Sequence, residues 1–251
     1  MFFRIACLCL LFALPARAEE VVAGLSQNRV SITANFDGSE ILIFGAVKRE
    51  TPLPDGPLDV IIAVAGPSEP LTVRRKDRRY GIWVNVDSVI VDQAPSFYAV
   101  ATTGPLTTVL TDVEDLEHRI SIERAVQTVG TTFATDNPQD FSEAIIRIRN
   151  ENGLYQLLEG GVDLSEETLF ATSIALPSNL VEGDYTARIF LTRGGKVVDS
   201  HDVSIDVSKV GLERWIYNLA HERPLIYGLL SLFIAIAAGW SASAVFRYIK
   251  S

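Results

Sequence analysis

From Leu225 to Phe246 the chain runs for 22 residues without a charged side chain, LIYGLLSLFIAIAAGWSASAVF. As a helix this is roughly 33 Å, enough for one bilayer core. A helix satisfies its backbone donors and acceptors internally, as lipid demands, so the run predicts a transmembrane helix over 225–246. Lys209, Arg214 and Arg223 precede it and only Arg247 and Lys250 follow, in a tail of residues 247–251. Flanking positive charge therefore does not orient the span.

The other end of the chain supplies the orientation. Arg4 is followed by the apolar run Ile5–Leu14, then Pro15 and Ala16-Arg17-Ala18 before Glu19-Glu20. This is a secretory signal peptide pattern over residues 1–18, with cleavage expected after Ala18; ten apolar residues are too few to cross a bilayer. Export followed by stop-transfer predicts a single-pass inner-membrane protein with a periplasmic N-terminal region and a cytoplasmic C-terminus.

Composition then removes whole classes of chemistry. Cys7 and Cys9 are the two cysteines and Met1 the one methionine, so nothing beyond residue 18 carries sulfur. Disulfides, cysteine nucleophiles and thiolate metal sites are excluded from the exported region. Export and a net charge of −9 also exclude nucleic acid as a partner.

Around the span, residues 209–224 read as a juxtamembrane amphipathic helix. Leu212, Trp215, Ile216 and Leu219 recur at i, i+3, i+4 and i+7, with Trp215 and Tyr217 as interfacial anchors and Pro224 as the break into the bilayer. Inside the span, Ser231, Ala235, Gly239 and Ser243 form a stripe of small residues at four-residue intervals. Such a face lets two backbones approach closely in lipid, and it predicts packing against another inner-membrane protein or a second copy of the chain.

The exported region opens with strand patterns. Asn28–Phe36 and Glu40–Val47 alternate around Asp37-Gly38, which predicts a hairpin. Leu58–Ala65, Leu71–Arg74, Gly81–Val86 and Phe97–Ala101 follow at short spacing, giving a β-sandwich domain over 19–105. An α+β region over 106–208 comes next. Thr111-Asp112-Val113-Glu114 fits a capping box, and Asn137-Pro138 fits a helix start ahead of Phe141, Ala144, Ile145 and Ile148, with Gly153 as the stop; two helices are expected at about 112–158. Strands return at Thr168–Leu176, Asp184–Thr192 and Lys196–Val207, the last two joined by Gly194-Gly195. Leu180–Ala187 has the pattern of a tyrosine corner around Tyr185. The expected fold is mainly β: an immunoglobulin-like β-sandwich exported region with a helical insertion, plus one C-terminal transmembrane helix. Whether the later strands join the first set or pack on the helices stays open.

Residues 81–102, 144–155, 169–191, 210–232 and 237–247 together resemble the family described as alphaproteobacterial putative transmembrane proteins. The resemblance implies a signal peptide, an exported region, one C-terminal span and no assigned activity. It also implies an association with sulfite-exporter-like permeases, with which the absence of sulfur agrees.

Few side chains suggest chemistry. Arg74, Arg75, Lys76, Arg78 and Arg79 crowd five bases into six residues, either a solvated hairpin loop or a patch for an anion or a partner. Asp112, Glu114, Asp115 and Glu117 suit a helix start and lack calcium-loop spacing, so no metal is expected. His118, His201 and His221 lie far apart, and Ser200-His201-Asp202 alternate across a strand and cannot form a triad unaided. No cofactor motif is present. The reading is a membrane-anchored periplasmic binding or accessory protein, not an enzyme, partnering an inner-membrane protein such as a sulfite-exporter-like permease; the alternative is a cell-envelope hydrolase assembled from scattered acids and histidines.

Overall fold

The computed structural model describes residues 19–33, 36–49, 56–126 and 139–249. Residues 1–18, expected to be a signal peptide, and Asn137-Pro138 and Lys250 lie outside them. The chain forms two units, which are taken in turn.

The larger unit is built on two sheets. One has the order β1-β3-β10-β9, from β1 (Glu19–Leu25), β3 (Ser39–Arg49), β9 (Val162–Ser165) and β10 (Leu169–Leu176). The other has the order β2-β12-β11-β4-β7-β8, from β2 (Arg29–Ile32), β4 (Leu58–Ala65), β7 (Tyr98–Thr102), β8 (Tyr155–Leu158), β11 (Gly183–Arg193) and β12 (Lys196–Lys209). Strands from both sides of residue 105 are direct neighbours: β10 pairs with β3 and β11 with β4, both antiparallel. The later strands therefore join the first set in shared sheets.

The six-stranded sheet is covered on both faces, which is why its central strand β4, LDVIIAVA, is apolar without alternation from Val60 to Ala65. Ile62 and Ile189 lie on one face, fully buried like Ile41, Ile43 and Ile174 of the four-stranded sheet, and β4 meets β9, β1 meets β11 and β7 meets β10 across the sandwich. Ile61, Ala63, Val100 and Phe190 point to the other face. There they pack with Val109 of α1 (Leu106–Val109), Ile122 of α3 (Ile122–Ala125), Ile145 of α4 (Gln139–Glu151), and with Leu110 and Ile120. The expected helical insertion is thus a third layer. Arg188 of β11 ties it down, donating to the carbonyls of His118 and Arg119 at 2.9 and 3.0 Å where α2 (Asp112–His118) ends, a cation at a helix C-terminus.

Several local expectations hold. Gly194 and Gly195 have φ of +55° and +78°, the two positive values that a tight β11–β12 hairpin requires. Gly153 follows α4 with φ +70°, and the tyrosine corner is closed by the Tyr185 hydroxyl donating to the Val181 carbonyl at 2.8 Å.

Others are corrected. Asp37-Gly38 is not a hairpin: β2 belongs to the six-stranded sheet and β3 to the four-stranded one, so the chain crosses between sheets there. β1 supplies the antiparallel partner of β3 instead, from Glu19 opposite Arg49 to Leu25 opposite Ile43. The capping box does not form: Thr111 makes no side-chain cap bond, its N–H goes to the Gly195 carbonyl, and Glu114 accepts from the Val197 N–H at 3.2 Å. Tyr155–Leu158 is strand, not helix, and pairs in parallel with β7, a pairing that an all-antiparallel immunoglobulin sandwich does not have.

The smaller unit holds α5 (Leu212–Glu222) and α6 (Pro224–Ile249). Arg223 separates them, and Pro224 stands at the first position of α6, where its missing N–H costs nothing. The stretch Pro224–Ser243 is long and apolar enough to cross a membrane.

Candidate functional site

The five bases lie within a strand, where a loop was one expectation. β5 (Ser68–Arg79) and β6 (Ile82–Pro95) form a two-stranded sheet of their own, and the turn is Tyr80-Gly81. Its base belongs to the protein core: Val89, Val91 and Ala94 are buried, and Leu71 and Val73 line a cleft with Ile145, Ile148 and Leu154. Arg74 stands at the rim of that cleft and beyond it the ribbon leaves the body; Arg74 to Arg79 are all exposed.

Register decides which bases are neutralised. Arg75 stands opposite Asp87 while Lys76 stands opposite Asn85, so Val86 is an extra, bulged residue on β6. Without the bulge, alternation would carry Asp87 to the face of Lys76. With it, Arg75, Asp77, Arg79 and Asp87 share one face, the one continuous with core-facing Val73 and Val89. Arg75 pairs with Asp87 there, and Arg79 with Asp77 at 3.7 Å. The outward face carries Arg74, Lys76 and Arg78 opposite Ser88, Asn85 and Trp83. Among the described residues no carboxylate pairs with these three; Arg78 Nε reaches only the Gly81 carbonyl, at 3.5 Å.

At the tip, Tyr80 and Gly81 have φ of +52° and +87°. A bulky residue is disfavoured in the left-handed region, yet Tyr80 sits there entirely in solvent, flanked by Ile82 and Trp83 at 65% and 69% exposure. These three residues directly follow the basic run in the sequence, and Ile82 and Trp83 lie in the strand expected over Gly81–Val86.

At the opposite extreme of burial lies Glu19, 4% exposed. Arg193 donates to both its oxygens, Nε at 2.9 Å and Nη2 at 2.8 Å, and Arg49 Nε donates to Oε1 at 2.8 Å. The Arg193 hydrogen bonds outweigh desolvation and hold the Glu19 carboxyl below its ordinary range. Burial pushes the Tyr155 hydroxyl up to about 12, and that hydroxyl donates to the Pro95 carbonyl at 2.9 Å. These groups hold the fold together, each closed by a protein partner.

The remaining candidates stay apart. His118 lies at the end of α2 beside Glu114, at 3.6 Å, and His201 in β12. His221 in α5 stacks on Tyr217 at 4.0 Å, with Nδ1 2.9 Å from the Tyr217 carbonyl. Among the described residues no group of three His, Cys, Asp or Glu is placed to hold a metal. Trp215 and Tyr217 are exposed on α5. Ser231, Ala235, Gly239 and Ser243 are exposed along α6; Ser231 Oγ donates back to the Tyr227 carbonyl at 2.8 Å, and a Cβ added at Gly239 would meet nothing within 4 Å.

A mainly β body continued by one uncovered apolar helix defines a membrane-anchored β protein. The chain belongs to the family described as Putative transmembrane protein (Alph_Pro_TM), whose model matches residues 20–248. No curated protein matches the chain.

Proposed function

We propose that this protein is an exported, non-enzymatic accessory or binding protein held at the inner membrane by α6, with its β body in the periplasm and its last residues in the cytosol. Its partner is another inner-membrane protein, such as a sulfite-exporter-like permease. One observation carries the reading: none of the apolar window within Pro224–Ser243 is buried. The whole circumference of that helix is left for lipid and for a neighbouring span, and its stripe of small residues is where a second backbone would come closest.

The test is an affinity pull-down of the tagged full chain from its own membranes, beside a variant with Ser231, Ala235, Gly239 and Ser243 all changed to Leu. Four added side chains keep the helix apolar but hold a partner backbone away. A membrane protein retained by the native chain and lost from the variant supports the reading. Recovery of no membrane protein with either form removes it.

A further inference from the structure

We propose that the outer half of the β5–β6 hairpin is a second, anionic-lipid-binding contact with the membrane. In this arm Arg74, Lys76 and Arg78 engage phospholipid headgroups, while Tyr80, Ile82 and Trp83 enter the interface. This goes beyond the accessory role proposed for α6 and does not depend on it.

The two faces of the ribbon differ in a way that solvation alone does not require. Bases placed only to keep a strand soluble would be as well served by neighbouring acids, and on the body-side face they have them, in Asp87 across from Arg75 and Asp77 beside Arg79 on the same strand. The outward face has three bases opposite serine, asparagine and tryptophan. Three uncompensated cations on one strand at period two span roughly 14 Å, matching a plane of negative charge better than a single small anion. The protein as a whole carries −9, so an anionic surface repels most of it and selects this end.

The tip supplies the second half of the argument. Tyr and Trp favour the headgroup level of a bilayer, where an apolar ring and a polar edge are both satisfied. Here Tyr80 leads the turn itself, at φ +52°, a conformation that Asn or Gly accepts far more readily, and Trp83 follows two residues after the turn. An exposed aromatic at an unfavourable backbone position points to a use for the ring. The cleft on the ribbon is lined by Arg75, Lys76, Asp77, Arg79, Val86 and Asp87, a set holding its own carboxylates, whereas a lipid interface needs only the charge and the apolar point that the outward face and the tip supply.

The sulfur-free exported sequence gives the test. Asn85→Cys, in a Cys7→Ser, Cys9→Ser background, places one thiol on the outward face. It is labelled with an environment-sensitive fluorophore, and the full chain is reconstituted into protein-free vesicles. In equimolar phosphatidylcholine and phosphatidylglycerol the label should shift to the blue and become shielded from an aqueous quencher by about twofold or more, relative to phosphatidylcholine alone. High salt should reverse the change. Arg74→Gln with Lys76→Gln and Arg78→Gln should abolish it, while Arg75→Gln with Arg79→Gln should leave most of it; all these sites are exposed, and matching thermal melts exclude misfolding. Equal emission in both vesicle types, or equal loss in both charge variants, overturns the proposal. A shift that appears only in native membranes assigns the face to an acidic protein and overturns it as well. The α6 pull-down is untouched by any of these results.

Discussion

Arg193 grips Glu19 with a two-pronged hydrogen bond across the sandwich, Nε to Oε2 at 2.9 Å and Nη2 to Oε1 at 2.8 Å, joining the first residue of β1 to the end of β11. Arg49 completes the cluster from β3. Glu19→Gln would leave the part-buried guanidinium groups of Arg49 and Arg193 facing a neutral amide, with Glu167 at 3.6 Å still beside Arg193. Breaking such a pair costs about 3 kcal/mol. Because the folded-state carboxyl is held below its ordinary value of 4.5, its contribution is complete above that value and is lost as pH falls through the lowered one. Melts of the detergent-solubilised full chain should show native protein well above Glu19→Gln at neutral pH and the gap closing in acid. A gap that persists unchanged in acid refutes the linkage.

Gly45 is a packing requirement. A Cβ there would stand 2.4 Å from the Phe170 ring and 2.6 Å from the Val22 carbonyl, and the β1 backbone cannot retreat without breaking its ladder with β3. Gly45→Ala should destabilise the protein by about 2 kcal/mol, the usual cost of overpacking. A denaturant midpoint equal to that of the native chain would show that Phe170 can give way.

Tyr185→Phe isolates the tyrosine corner. The ring stays, 1% exposed, but the Val181 carbonyl loses its donor. About 1 kcal/mol of stability should go, without change in the unfolding slope.

Membrane topology can be read with the same cysteine-free background. A thiol at Asn179→Cys, exposed and outside the β5–β6 arm, should react with an impermeant maleimide added to intact spheroplasts, and one at Ser251→Cys only after lysis. The reverse pattern would place the β body in the cytosol and end the exported reading.

What the sequence determined by itself was everything with a local cause. The span is legible because 22 uncharged residues leave a membrane helix little alternative, and the Gly194-Gly195 hairpin because two positive φ values fall where glycine tolerates them. The Tyr185 corner closes over four residues, and Gly153 stops α4 within one turn. What only the tertiary structure decided was pairing between distant segments. Asp37-Gly38 looks like a hairpin, yet the apolar faces of β2 and β3 are buried in different sheets, a global choice that no dipeptide encodes. Glu19 reads as a solvated acid beside a cleavage site until β3 and β11 bring Arg49 and Arg193 to it. The basic run reads as five equivalent charges. The bulge at Val86 moves Asp87 onto the face of Arg75 and leaves Arg74, Lys76 and Arg78 uncompensated, because one inserted residue reverses which side of a strand every later side chain occupies.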